Sequence, residues 1–154
     1  GHRELAYVYD VDSFSGIAKL EGFYSGLKKQ GLPLRQEWIV QTESGVPGGR
    51  KAWGRLDEMG ACCSAVITSE DILAAGIVKE LAVRGKGVPD DVAVFGYNHS
   101  TIAQCTTPEL STVDNKVGKL AKESVKILCK VLRGEKAFHQ NIIVPELIFR
   151  GSCP

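Results

Sequence analysis

The residue types able to do chemistry in this sequence are scattered, and their spacing excludes more than it offers. His2, His99 and His139 lie far apart, and Cys62–Cys63 is a vicinal pair and not a Cys-x-x-Cys, so neither has the spacing of a zinc site. GVPGGRK at 45–51 has the glycines of a phosphate-cradling loop. It lacks that loop's glycine-to-lysine spacing and the hydroxyl residue that follows the lysine. Serine, histidine and aspartate all occur, but no nucleophile-elbow sequence surrounds a serine. No acid/base pair stands out. Lys116, Lys119, Lys126, Lys130 and Arg133 form a basic stripe at helical spacing, which reads as the solvated face opposite an apolar one. The sequence therefore predicts no catalysis, no metal and no cofactor.

Composition narrows the partners. The chain has 154 residues, 44% apolar and 24% charged, the profile of one soluble globular domain. A net charge of +1 gives no field to draw it onto DNA or an anionic membrane. No apolar run approaches the roughly 20 residues of a membrane-spanning helix. Five cysteines, an odd number without regular spacing, fit reduced thiols in the cytoplasm better than a secreted disulfide frame. The opening GHRELAYVYD carries no secretion signal and enters an apolar strand within four residues, so the chain is expected to be cut from something longer.

Short apolar runs alternate with amphipathic stretches, which predicts an α/β domain with a mainly parallel, doubly wound sheet and helices on both faces. Strands are expected at Leu5–Tyr9, Trp38–Gln41, Ala65–Thr68, Val92–Phe95, Ser111–Val113 and Ile142–Phe149. The last should lie at an edge or break at Pro145, which has no N–H to give. The first helix should run from Ser15, its cap, to Gln30, with Ile17, Leu20, Tyr24 and Leu27 on one face and Gly31 as its stop. ESGVPGG reads as a loop and Gly49–Met59 as a weaker helix. Ser69 should cap a helix to about Arg84, and Asp114 or Asn115 a long one to Leu132. That last helix would turn Val117, Leu120, Ala121, Leu128, Val131 and Leu132 to the core.

Four segments then carry a resemblance: GHRELAYV with SGIAKLEGF; TSEDILAAGIVKELAVRGKGVPDDVAVFGYNHS; TTPELSTVDNKVGKLA; and VPELIFRGSC. In order and spacing the set resembles the lactose/galactose repressor family and spans nearly the whole chain. The resemblance implies a fold like a periplasmic sugar-binding protein, with two subdomains around a sugar cleft. It implies that residues 1–110 belong to the second subdomain, 111–133 to a fragment of the first, and 134–154 to the second again. The DNA-binding domain would be absent.

It also implies effector contacts. Lys19 matches a position usually held by arginine; lysine keeps the charge but loses the planar fork. Asn98 matches an aspartate at a strand's end and can both donate and accept. Glu70 and Ser15 match polar lining positions. Each has a plainer reading: a solvated helix charge for Lys19, a turn residue for Asn98, helix-start electrostatics for Glu70, a helix cap for Ser15. Ser44 stands near where relatives place an aromatic ring, which serine cannot replace. Tyr97 reads as core.

The function so implied is a cytoplasmic sugar-sensing repressor domain. An uncharged or weakly anionic sugar would control operator binding carried by the missing N-terminal domain, with no membrane partner. A homodimer is expected through Ile72, Ala75, Val78, Lys79 and the segment Ile102–Cys105. The competing readings are a periplasmic-type sugar carrier and an unrecognised enzyme. With one cleft wall present, the chain alone should bind sugar weakly.

Overall fold

Five short strands run parallel and a sixth runs back beside them. The structure is a computed structural model that describes every residue except Asp12, Phe138 and His139, so His139 lies outside the described residues. The strands are β1 (Leu5–Tyr9), β2 (Ile39–Gln41), β3 (Ala65–Thr68), β4 (Ala93–Tyr97), β5 (Ser111–Asp114) and β6 (Glu146–Ile148). The helices are α1 (Phe14–Gln30), α2 (Gly45–Glu58), α3 (Asp71–Val83) and α4 (Val117–Leu132). The sheet order is β2-β1-β3-β4-β5-β6, with only β6 antiparallel. This is the mainly parallel, doubly wound sheet expected from the alternating pattern. β6 begins directly after Pro145 and lies at the sheet's edge, where a missing N–H costs no ladder bond.

Alternation along the strands sorts the two faces. Ala6, Val8, Val40, Val66 and Val94 are almost fully buried on one side. There they form a single core with Ala52, Trp53 and Leu56 of α2 and Leu73, Ala74, Ile77 and Leu81 of α3. Tyr7 points the other way and stacks on Phe23 of α1, ring centres 5.0 Å apart. The strand order reverses direction after β2, so right-handed crossovers put α1 opposite α2 and α3.

The helix boundaries shift from the sequence reading at four places. Ser13, not Ser15, caps α1: its Oγ accepts from the Gly16 N–H at 3.1 Å, leaving Ser15 inside the first turn. Glu70, not Ser69, holds the capping position of α3, and Lys116, not Asp114 or Asn115, that of α4. Asp114 still steadies that entry by accepting from the Lys116 N–H at 2.7 Å. The expected loop at ESGVPGG is largely helix, because α2 begins at Gly45. Pro47 falls in the first turn, where its missing N–H is harmless. A Cβ on Gly49 would collide with the Leu73 carbonyl and the Gly76 Cα, and one on Gly76 with the Val46 carbonyl. Of the glycines that suggested a loop, Gly49 lets α2 and α3 touch backbone to backbone, while Gly48 lies against the Glu43 carbonyl and Gly45 takes left-handed backbone.

α4 departs further. Val117, Leu120, Ala121, Leu128, Val131 and Leu132, expected in the core, are all exposed, and α4 buries no residue. β5 continues the sheet beyond β4, pairing through Ser111–Val113. The surface expected to form a dimer is smaller than the sequence suggested. Ala75, Val78 and Ala103 are buried in the chain itself and Ile102 half-buried, leaving Ile72, Lys79, Gln104 and Cys105 exposed.

Replacing Gly49 by alanine should lower stability by about 1–3 kcal/mol, because backbone atoms and not a flexible side chain occupy the space. Denaturant unfolding measures this; an unchanged midpoint would show that α2 and α3 slide apart without cost.

Candidate ligand-binding site

A parallel sheet gathers its strands' carboxyl ends along one edge, and a polar side chain stands there immediately after β1, β3, β4 and β5 and three residues after β2. These are Asp10, Ser44, Ser69, Asn98 and Asn115. Asp10 ties the first three together, its carboxylate accepting from Ser44 Oγ at 2.7 Å and Ser69 Oγ at 3.2 Å. Lys19, one turn into α1, reaches across to the same edge. Its ammonium donates to the Ser69 carbonyl at 3.0 Å and pairs with Glu70 at 3.4 Å. It also sits over the Tyr97 ring, 4.2 Å from the centre, a cation–π contact.

Asn98 completes the network. Its Nδ2 donates to Glu70 Oε2, and its Oδ1 accepts from Asn115 Nδ2 at 2.8 Å. Asn98 and His99 both have positive φ, 103° and 50°, uncommon for residues with a side chain, so the chain turns sharply where Asn98 is presented. Three of the four site residues expected from the sequence, Lys19, Glu70 and Asn98, are thus joined directly. Ser15 is not: it lies on the same face of α1, one turn before Lys19, and its Oγ bonds only Ser13 Oγ, at 3.2 Å, among the described residues.

A cavity of about 720 Å³ runs from this polar edge down the α1 face of the sheet. Ser15, Lys19, Thr68 and Tyr97 line it, with Tyr7, Phe23, Ile67 and Phe95 as an apolar wall. Tyr97 therefore belongs to the cavity wall as well as to β4, where the sequence placed it in the core. Burial first, and then the Glu70 charge, hold its phenol above the usual tyrosine range. Tyr7 is raised too, by burial foremost and by Tyr97, Asp10 and Glu70 around it. Both hydroxyls stay protonated at neutral pH and can only act as neutral groups. Ser44 supplies no ring, as its residue type required; it orients Asp10 instead.

The edge offers one ammonium, two carboxylates and two amides, a mixed set of donors and acceptors suited to a molecule bearing several neutral hydroxyls. Among the described residues no group of His, Cys, Asp and Glu could hold a metal ion, and no helix is long and apolar enough to cross a membrane.

Comparison with known proteins decides the family. The model of the periplasmic binding protein-like domain matches residues 1–153. The chain belongs to that family. Its relatives are transcriptional regulators. An HTH-type regulator of Lachnoclostridium phytofermentans is 33% identical over 97% of this chain and 45% of its own length. AscG of Escherichia coli is 33% identical over 99% and 46%. The chain spans about half the length of these relatives. Among solved structures, an Escherichia coli sugar-binding regulator of the LacI family, complexed with phosphate, superposes with a TM-score of 0.92 at 32% identity. That match covers 99% of this chain and 55% of the other. The regulator CelR in complex with cellobiose matches at 0.90 and 25% identity, over 99% and 47%. The resemblance to the lactose/galactose repressor family, read first from four segments, therefore stands.

Glu70 sits in a partly exposed ion pair, so Glu70→Gln should change unfolding stability by less than about 1 kcal/mol. A larger loss in denaturant unfolding would mean the network serves the fold and not a ligand.

Proposed function

We propose that this chain is the larger part of the effector-sensing domain of a longer, cytoplasmic repressor, and that a neutral sugar or related polyol binds at the carboxyl edge of the sheet. The observation that carries this reading is the convergence of Lys19, Glu70 and Asn98, from three separate elements, on one partly open edge. Open α/β sheets bind ligands outside the carboxyl ends of their strands. In this reading Lys19 donates to sugar hydroxyls, Glu70 accepts from them, and Asn98 does both, while Ser15 lines the entrance. No covalent chemistry is involved.

The residues after β5 support a second wall supplied by another part of the protein. Val117, Leu120, Leu128 and Val131 of α4 form an apolar face open to solvent, which is costly unless something covers it. Residues from about 115 to 133 would belong to that second lobe, and residues 1–114 and 134–154 to the lobe described here. A ligand held between two lobes favours their closed arrangement, and operator affinity follows whichever arrangement it prefers. The repressor would act as a homodimer, with Ile72, Lys79 and the neighbouring segment Ile102–Cys105 at its two-fold interface, and would contact DNA through its remaining N-terminal part.

Asn98→Ala in the full-length protein should weaken release of operator by sugar about tenfold while operator affinity without sugar is unchanged. Fluorescence anisotropy of labelled operator, titrated with neutral mono- and disaccharides, reads both. An unaltered sugar response would return Asn98 to the role of a turn residue.

A further inference from the structure

Beside the ligand edge, and absent from the network just described, is a buried carboxylate with no cationic partner among the described residues. Asp71 is 1% exposed. Its Oδ2 accepts from the Ser100 N–H at 2.7 Å and the Ser100 hydroxyl at 2.8 Å, and its Oδ1 from the Thr112 hydroxyl at 2.6 Å. Thr112 Oγ1 in turn accepts from the His99 N–H at 3.2 Å. A Cβ at position 96 would fall on Asp71 Oδ1, so glycine there is what admits the carboxylate.

These bonds enclose one short stretch. Residues 98 and 99 take left-handed backbone in succession, and the Asn98 N–H donates to Val113 O at 3.0 Å. Asp71 and Thr112 hold the far end of that turn, and Glu70, next to Asp71 in the chain, takes the Asn98 amide. An isolated anion taken out of water is strongly disfavoured, and three donated hydrogen bonds offset that cost only if the groups are fixed. Fixing them fixes the turn.

We propose that Asp71 is the positioning residue of the recognition edge: it sets the 98–100 turn and the start of α3 in one register, so that Asn98 and Glu70 face the same ligand. Asp71 does not touch the ligand. It determines which hydroxyl geometry the Asn98–Glu70 pair accepts, and so acts on specificity as well as affinity. This inference rests on the reading that Asn98 and Glu70 bind a polyol.

The test is a double-mutant cycle in the full-length protein, with calorimetric titration of D-glucose, D-galactose, maltose and cellobiose as probes. Asp71→Asn replaces one acceptor oxygen by a donor. It should weaken the best-bound sugar five- to tenfold in the natural background and less than twofold when combined with Asn98→Ala. Glucose and galactose, which differ at one hydroxyl, should be discriminated less sharply by Asp71→Asn. Equal losses in both backgrounds would show a general loosening of the fold and overturn the proposal, as would no loss at all. If Asp71→Asn does not fold, Thr112→Val removes one of the three bonds and the same cycle applies. Failure of the parent reading is seen separately: the unsubstituted protein would bind none of the four sugars, and the proposal would fall with it.

Discussion

Two helices that touch backbone to backbone set the position of everything else in this molecule. Gly49 of α2 and Gly76 of α3 leave no room for a side chain between them, so the helices lie as close as their main chains allow. Their inner faces, with Trp53, Leu56, Leu73 and Ile77, then reach the buried valines of the sheet without a gap. Close-packed interiors transmit position rather than absorb it. The start of α3 is therefore fixed relative to the ends of β3 and β4, and with it Glu70 and the 98–100 turn.

The opposite face of the sheet is built differently. Among the described residues α1 packs on it through Phe23 against Tyr7, and Phe14, at the start of α1, is almost fully exposed. Together with the bare apolar face of α4, this gives the chain one sealed layer and one open one. A binding edge is well placed between the two: its polar groups are held by a rigid layer on one side and remain accessible from the other. The mixed charges at that edge suit a neutral polyol, because Lys19 is already engaged by Glu70 and the Ser69 carbonyl.

Much of this was legible in the sequence. β1, β3 and β5 follow from their sequence runs to within a residue, and the family resemblance alone points to Lys19, Glu70 and Asn98. What escaped has physical reasons. Glycine and proline in ESGVPGG signal a loop by local preference, but Gly49 answers a tertiary requirement, close contact with α3, that no local pattern encodes. The apolar stripe of α4 was read correctly as a stripe and wrongly as core, because periodicity says which face is apolar and not whether a partner is present. Asp10, Ser69 and Asn115 were missed as members of the site. The signal that could have found them was simple: each is the polar residue that follows a parallel strand. Ser15 shows the converse, since a match to a family position placed it near the site without giving it a bond there.

Sugar recognition at the carboxyl edge formed by Lys19, Glu70 and Asn98 is the step on which the proposed function turns. A crystal structure of the full-length protein with its best-bound sugar puts that step to the test. Ligand hydroxyls are expected at hydrogen-bond distance, about 3 Å, from Lys19 Nζ, the Glu70 carboxylate and the Asn98 amide. A sugar seated elsewhere, with the Lys19–Glu70–Asn98 network intact and untouched, would contradict it.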